Sequence, residues 1–423
     1  MTISKNKPCP CGSGKKYKKC CFVKSKKELH FEKDYFFIKG KTAEKIVHDL
    51  AVKTFLTDWC YLNPKLPDGK ELCDLLVIFD DIAVIWQIKD LKLDGSGKYK
   101  RAEVDKNLRQ LSGARRQLFD LQTQIVLENP RRRREIFDST KIREIYLLSV
   151  LLGEGEEVCS FVDEIKNHTV HILDREFTQI LLNELDTISD FTAYLRSKEA
   201  FLKKEISLTI VDGEEELLAY YLMNDRSFKK LEKATFVAIE GGSWLNLQNN
   251  PKYLAKKRED AISYGWDDII NRANEGSSQY EKMARELARP NRFQRRYLSK
   301  VYYDAFVQAH NDNKGDLYRR ILFSDETTYC FLFQDEKYPR EKRKEMLLAI
   351  CFFARGKHQK NSRVIGIATE KKIQLLCSYD FCFLNIPEWT EELQSKVEKL
   401  QSEMELFATP VVDYTTETEY PES

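Results

Sequence analysis

The stretch from Glu71 to Asp90, ELCDLLVIFDDIAVIWQIKD, constrains the fold more than any other part of the chain. Two apolar, β-branched runs flank Asp80-Asp81, and a two-residue connection between such runs predicts a β-hairpin. If Phe79 pairs with Ile82, Asp74 falls directly opposite Gln87 on one face of the ribbon. Lys89, two residues further on, shares that face. A carboxylate, an amide and an ammonium therefore converge on an otherwise apolar hairpin. Buried groups of this kind are costly unless they are paired or bound to a metal.

Upstream, apolar residues at Ile46, Val47, Leu50, Ala51 and Phe55 follow a helical spacing, with Thr42 as N-cap. Glu44 lies in the first turns of this helix and is expected to pack over the face that carries Asp74. Two such carboxylates make a hard-oxygen site suited to Mg²⁺. Lys89 would orient water or meet charge developing on a phosphate.

This order resembles the PD-(D/E)xK restriction-endonuclease-like superfamily: a helix with Glu, a strand with Asp, then a strand with (D/E)-x-K. The matching positions are Glu44, Asp74 and Gln87-Ile88-Lys89, and the resemblance covers about residues 35 to 150. NLRQLSGARRQL, from Asn107, is similar to the helix that follows the motif in these nucleases, with Gln110 as an auxiliary active-site residue. Two positions depart from the pattern: Cys73 stands where proline is common, and Gln87 replaces the usual acid, which weakens metal binding. The resemblance implies an α/β (α+β) chain with a restriction-endonuclease-like core. It also implies Glu44, Asp74, Gln87, Lys89 and Gln110 as catalytic residues, and a catalytic Mg²⁺ on Glu44, Asp74 and Gln87. The implied activity is that of a metal-dependent endonuclease hydrolysing phosphodiester bonds, of DNA rather than RNA, in defence against foreign DNA. The alternatives are an inactive nucleic-acid binder, a protein-interaction adaptor, or a plain Asp74–Lys89 strand salt bridge with Glu44 solvated.

The chain is nearly balanced, with 69 Lys+Arg against 67 Asp+Glu, so any basic surface has to be local. Residues 89 to 143 hold 15 Lys+Arg and 8 Asp+Glu. Lys98, Lys100, Arg101, Arg109, Arg115, Arg116 and Arg131, Arg132, Arg133 and Arg134 flank the proposed site and are the candidate nucleic-acid contacts. The four consecutive arginines are expected in an exposed turn.

The 11 cysteines include a cluster at Cys9, Cys11, Cys20 and Cys21, in CPCGSGKKYKKCC. Four thiolates within so short a segment suit one tetrahedral Zn²⁺, whose binding would supply most of the folding free energy there. The pattern resembles the SEC-C motif, an accessory zinc-binding module, which implies a structural Zn²⁺ and a surface for a protein partner.

The expected organisation is a zinc motif at 1–27, the nuclease-like domain at 35–205, a second α+β domain at 206–411 and a disordered acidic tail at 412–423. ATFVAIE, LLAICFFA, RVIGIATE and LLCSYDFCFL read as strands of the second domain, and residues 102 to 128 read as one helix. Asp186 and Asp190 read as helix caps or surface, and Cys377 and Cys382 as core. His168 and His171 read as a strand edge rather than a metal site. No apolar run reaches the length of a membrane span, and no secretory leader is visible, so a cytoplasmic protein is expected. A homodimer is compatible with this reading.

Overall fold

The computed structural model describes residues 43–89, 91, 99–121, 123–152, 162–204, 206–275, 280–312, 315–371, 377–407 and 410–422. The four clustered cysteines and Lys98 lie outside the described residues. Glu44 is placed in a helix, but its side chain is not described.

The described part is a mixed α/β molecule with several sheets. Helix α1 (Ala43–Phe55) leads into β1 (Cys60–Leu62), β2 (Leu75–Phe79) and β3 (Ile82–Lys89). Helix α2 (Arg101–Arg115) then crosses to the ribbon β4 (Val126–Asn129) and β5 (Arg132–Ile136), followed by β6 (Glu144–Leu151), β7 (Val162–Ile165) and β8 (His168–Asp174). The main sheet has the order β1-β2-β3-β6-β8-β7. Its first three strands are antiparallel, while β6 runs parallel to β3 and β8 parallel to β6. A parallel neighbour requires a crossover, and α2 lies in it.

The hairpin has the register the turn predicts, with Phe79 opposite Ile82 and Leu75 opposite Trp86. Asp80 takes the left-handed conformation (φ 51°) that a tight turn requires and aspartate tolerates. Alternation along β3 sends Val84, Trp86 and Ile88 to one side, where α1 packs Val47, Ala51 and Phe55 against them. Ile85 faces the other side, against Leu76 and the α2 residues Val104, Leu108 and Leu111.

The chain continues through α3 (Arg175–Glu184), α4 (Ile188–Leu202), β9 (Ser207–Ile210), α5 (Glu214–Met223), β10 (Phe236–Ile239), α6 (Ser243–Gln248), α7 (Pro251–Asp260), α8 (Tyr264–Asn274), α9 (Glu281–Ala288) and α10 (Arg292–Asn311). A second sheet, in the order β11-β12-β13-β14, is built from β11 (Leu317–Phe323), β12 (Thr327–Gln334), β13 (Arg363–Glu370) and β14 (Asp380–Asn385). Helix α11 (Arg340–Lys357) joins the parallel pair β12 and β13, and α12 (Glu391–Met404) follows. Hairpin, crossover helix and parallel strand thus occur twice in one chain, at β2-β3-α2-β6 and at β11-β12-α11-β13.

The apolar core is continuous across residue 206. One cluster runs from Val47 through Trp86 and Phe191 to Trp266, Phe331 and Ile367. Ion pairs cross the same line: Arg289 holds the hairpin-turn Asp80 at 2.7 Å, and Arg132 reaches Glu281 at 2.6 Å.

Several expectations are corrected. LLAICFFA is not a strand but the buried half of α11, where Leu347, Ile350, Cys351 and Ala354 pack against the second sheet. A short apolar run does not by itself separate a strand from a buried helix. The helix expected over 102–128 ends earlier, through a π-helical turn at Arg116–Asp120, and its last residues form β4. Arg132 to Arg134 lie in β5 rather than in a turn. Asp186 and Asp190 are buried, not on the surface. The acidic segment is docked, with Glu419 bonded to Arg226 at 2.7 Å and Thr418 O to Arg296 at 2.6 Å. Cys377 and Cys382 are half-buried.

Candidate functional site

Strands β2 and β3 part at Asp74, and the aspartate side chain fills the gap. The Asp74 main-chain N–H still donates to Trp86 O at 3.2 Å, completing the last ladder bond. One residue on, the partner strand has left, and the Ile88 N–H donates instead to Asp74 Oδ2. The same oxygen accepts from Gln87 Nε2 at 2.6 Å. Both side chains are buried, with Asp74 5% and Gln87 4% exposed. The sheet thus brings Asp74 and Gln87 into direct contact. Lys89 is half-buried two residues further along the same face, where its carbonyl accepts from Leu152 N at 2.8 Å.

Helix α1, which bears Glu44, packs its body on the opposite face of the sheet, against Trp86 and Val84. The expectation that it lies over the Asp74 face is therefore corrected. The apolar stripe Val47–Ala51–Phe55 found its counterpart on the side of β3 that carries tryptophan rather than glutamine. Among the described residues, no group of three or more His, Cys, Asp or Glu side chains is placed to hold a metal ion.

The helix behind the site contributes a residue that was not anticipated. Gln110 is exposed on α2. Asn107, three residues earlier, is fully buried, and its Nδ2 donates to Ser149 Oγ on β6 at 2.8 Å and to Gln87 O at 3.4 Å. A polar residue inside the apolar stripe Val104–Leu108–Leu111 was the available signal. Asn63 is a second unanticipated neighbour, with its side-chain amide 2.8 Å from both Asp74 O and Glu71 Oε1. Burial pushes the adjacent Cys73 thiol well above its ordinary value, helped by Asp74 and Glu71, so Cys73 is a neutral packing residue.

The basic residues divide into three groups. Lys100, Arg109, Arg116 and Arg133 are exposed. Arg101 pairs with Asp105 at 2.7 Å and Asp163 at 2.8 Å, Arg115 with Asp120 at 2.8 Å, and Arg134 with Glu128 at 2.9 Å. Arg131 and Arg132 are tied inward, Arg131 to Asp58 at 3.7 Å and Arg132 to Glu281 at 2.6 Å. Burial holds the Asp58 carboxyl above its ordinary value against the pull of these two arginines. Arg132 therefore ties the β4–β5 ribbon to α9.

The strand edge expected at His168 and His171 is corrected: β8 lies between β6 and β7, and His171 is fully buried, with Nε2 3.0 Å from Glu199 Oε1.

No curated protein and no solved structure matches the chain. The SEC-C motif family model matches residues 6–22, a span that contains Cys9, Cys11, Cys20 and Cys21. The N-terminal segment of this chain is accordingly similar to the SEC-C motif.

Proposed function

We propose that the chain is a metal-dependent phosphodiesterase acting on DNA, built on a restriction-endonuclease-like core and carrying a zinc knuckle. One observation carries the reading: a buried carboxylate, Asp74, set against Gln87 where β2 leaves β3, with Lys89 two residues on. The order helix, three antiparallel strands, crossover helix and parallel strand supports it. The site lies towards the carboxyl ends of the parallel strands β3 and β6, where open α/β sheets bind ligands.

Asp74 and Gln87 offer hard oxygen donors of the class Mg²⁺ prefers, and the resemblance to the superfamily would add Glu44 as a third donor. Such an ion, when bound, polarises a phosphoryl oxygen and acidifies a bound water. For Gln87 to present its oxygen, its amide must turn over and give up the bond to Asp74 Oδ2. Lys89 would hold the attacking water and meet negative charge on the phosphate. Asn107 and Ser149 would keep β3 and β6 in place behind it.

A second reading rests on that same hydrogen bond. Asp74 Oδ2 is satisfied by two donors of the protein itself, as suits an inactive fold that binds DNA without cutting it.

Plasmid and single-stranded DNA incubated with and without Mg²⁺ separate the two. The nuclease reading expects Mg²⁺-dependent cleavage that falls about 100-fold or more in Asp74→Ala and in Lys89→Ala, the scale at which losing one charge-stabilising group acts. DNA binding without cleavage by the wild type would establish the second reading. The cysteines are proposed to hold a structural zinc, so purified protein should carry about one Zn²⁺ per chain and lose it in Cys9→Ser/Cys20→Ser. Full retention of zinc in that variant would refute the assignment.

A further inference from the structure

Away from the main sheet, five cationic side chains line a cleft: Arg226 after α5, Lys252 and Lys256 on α7, and Arg296 and Lys300 on α10. Acidic groups of the surrounding helices meet part of this charge. Arg226 lies 2.9 Å from Asp190, Lys256 2.5 Å and Arg296 3.2 Å from Asp260, and Lys300 2.9 Å from Glu259.

Residues 415–422 meet the remainder. Glu417 sits 3.0 Å from Lys300 and 3.7 Å from Arg296. Glu419 sits 2.7 Å from Arg226 and 3.7 Å from Lys256, and Glu422 2.6 Å from Lys252. Arg296 also donates to the main-chain oxygens of Thr418 at 2.6 Å and Glu419 at 3.2 Å, and its side chain is shut off from solvent. Thr415 Oγ1 meets Tyr297 OH at 2.7 Å. The segment has neither helix nor strand. Glu417 and Glu419 are two residues apart, so in extended chain they point the same way about 7 Å from each other. Tyr420 is the apolar anchor: its ring packs on the main core and its hydroxyl donates to Leu222 O at 3.2 Å.

We propose that this cleft is a docking site for an extended acidic peptide of a partner protein, and that residues 415–422 are its built-in competitor. The chemistry of recognition is that of a peptide. Carboxylates two residues apart meet separate cations, while the Arg296 guanidinium is met by main-chain carbonyls, which a phosphodiester backbone lacks. The outer pairs, Lys252–Glu422 and Lys300–Glu417, are partly exposed and individually weak, on the order of 0.2–1 kcal/mol each, whereas the contacts to Arg226, Lys256 and Arg296 are largely buried. Being tethered, the segment acts at an effective concentration on the order of millimolar and masks the cleft from peptides in solution.

The test uses the full chain and a fluorescein-labelled synthetic peptide of residues 412–423, followed by anisotropy. E417Q/E419Q/E422Q in the protein loosens its own segment and should make the labelled peptide bind at least about ten-fold tighter than to wild type. That binding should weaken with salt, and a peptide carrying the same three glutamines should not bind. Equal affinities for the two proteins, or binding of the glutamine peptide, would overturn the proposal. So would a single-stranded oligonucleotide that binds the variant more tightly than the peptide does. Loss of the folded circular-dichroism spectrum in the variant would show the segment to be a fixed part of the fold, which also overturns it.

Discussion

Individual side chains of this protein carry burial that chemistry must offset, and His171 is the clearest titrating case. Burial lowers its pKa from 6.5 to about 4; the bond to Glu199 opposes the shift and Lys198 adds to it. The folded value lies below the unfolded one, so as pH falls the unfolded chain takes up the proton first. Stability is therefore intact above about pH 6.5 and is lost progressively towards pH 4, by up to roughly 3 kcal/mol from this one group. Urea midpoints at pH 7 and pH 5 should differ in the wild type and differ much less in His171→Gln; an unchanged difference would place the pH dependence elsewhere. At this scale the residues of the candidate site were legible in part. Asp74 and Gln87 could be paired from the sequence because a two-residue turn dictates every pairing above it. Asn107 and Ser149 could not, because they lie 20 and 62 positions from Gln87 and meet it only through the crossover.

Elements whose order is set by near neighbours were read correctly, and those set by distant packing were not. The β2–β3 hairpin, β6, β8 and β13 follow from alternation and apolar runs. The β11–β12 hairpin has no comparable signal in the sequence, and LLAICFFA reads as a strand because that half of α11 is apolar nearly all round. The reason lies in the second sheet: α11 is covered by β13 on one side and by Val397 of α12 on another. Gly366 of β13 marks how closely they approach. A Cβ there would run into Cys351 Sγ and come within 2.8 Å of Leu347 Cδ1, both on α11. Gly366→Ala should destabilise by about 1–3 kcal/mol, as overpacking of a filled core does. A melting temperature unchanged from wild type would show that the helix can shift away at no cost.

Across the whole molecule, the two sheets share one apolar core, and helices that follow the first sheet in the chain are braced by buried charge. Arg292 donates to Asp186 at 2.8 Å and Asp267 at 2.9 Å, and Arg295 to Asp267 at 2.7 Å. With no break in the core at residue 206, denaturation should show a single transition by tryptophan fluorescence and by circular dichroism at the same midpoint. Two separated transitions would show a division into independently folding halves. The sequence by itself determined the hairpin, its register and the cysteine motif at residues 6–22, because turns and short spacings act over a few residues. Tertiary structure alone decided which face α1 covers, where the arginines of β5 point and that residues 415–422 are docked. Each of these depends on which surface, far away along the chain, offers the complementary shape or charge.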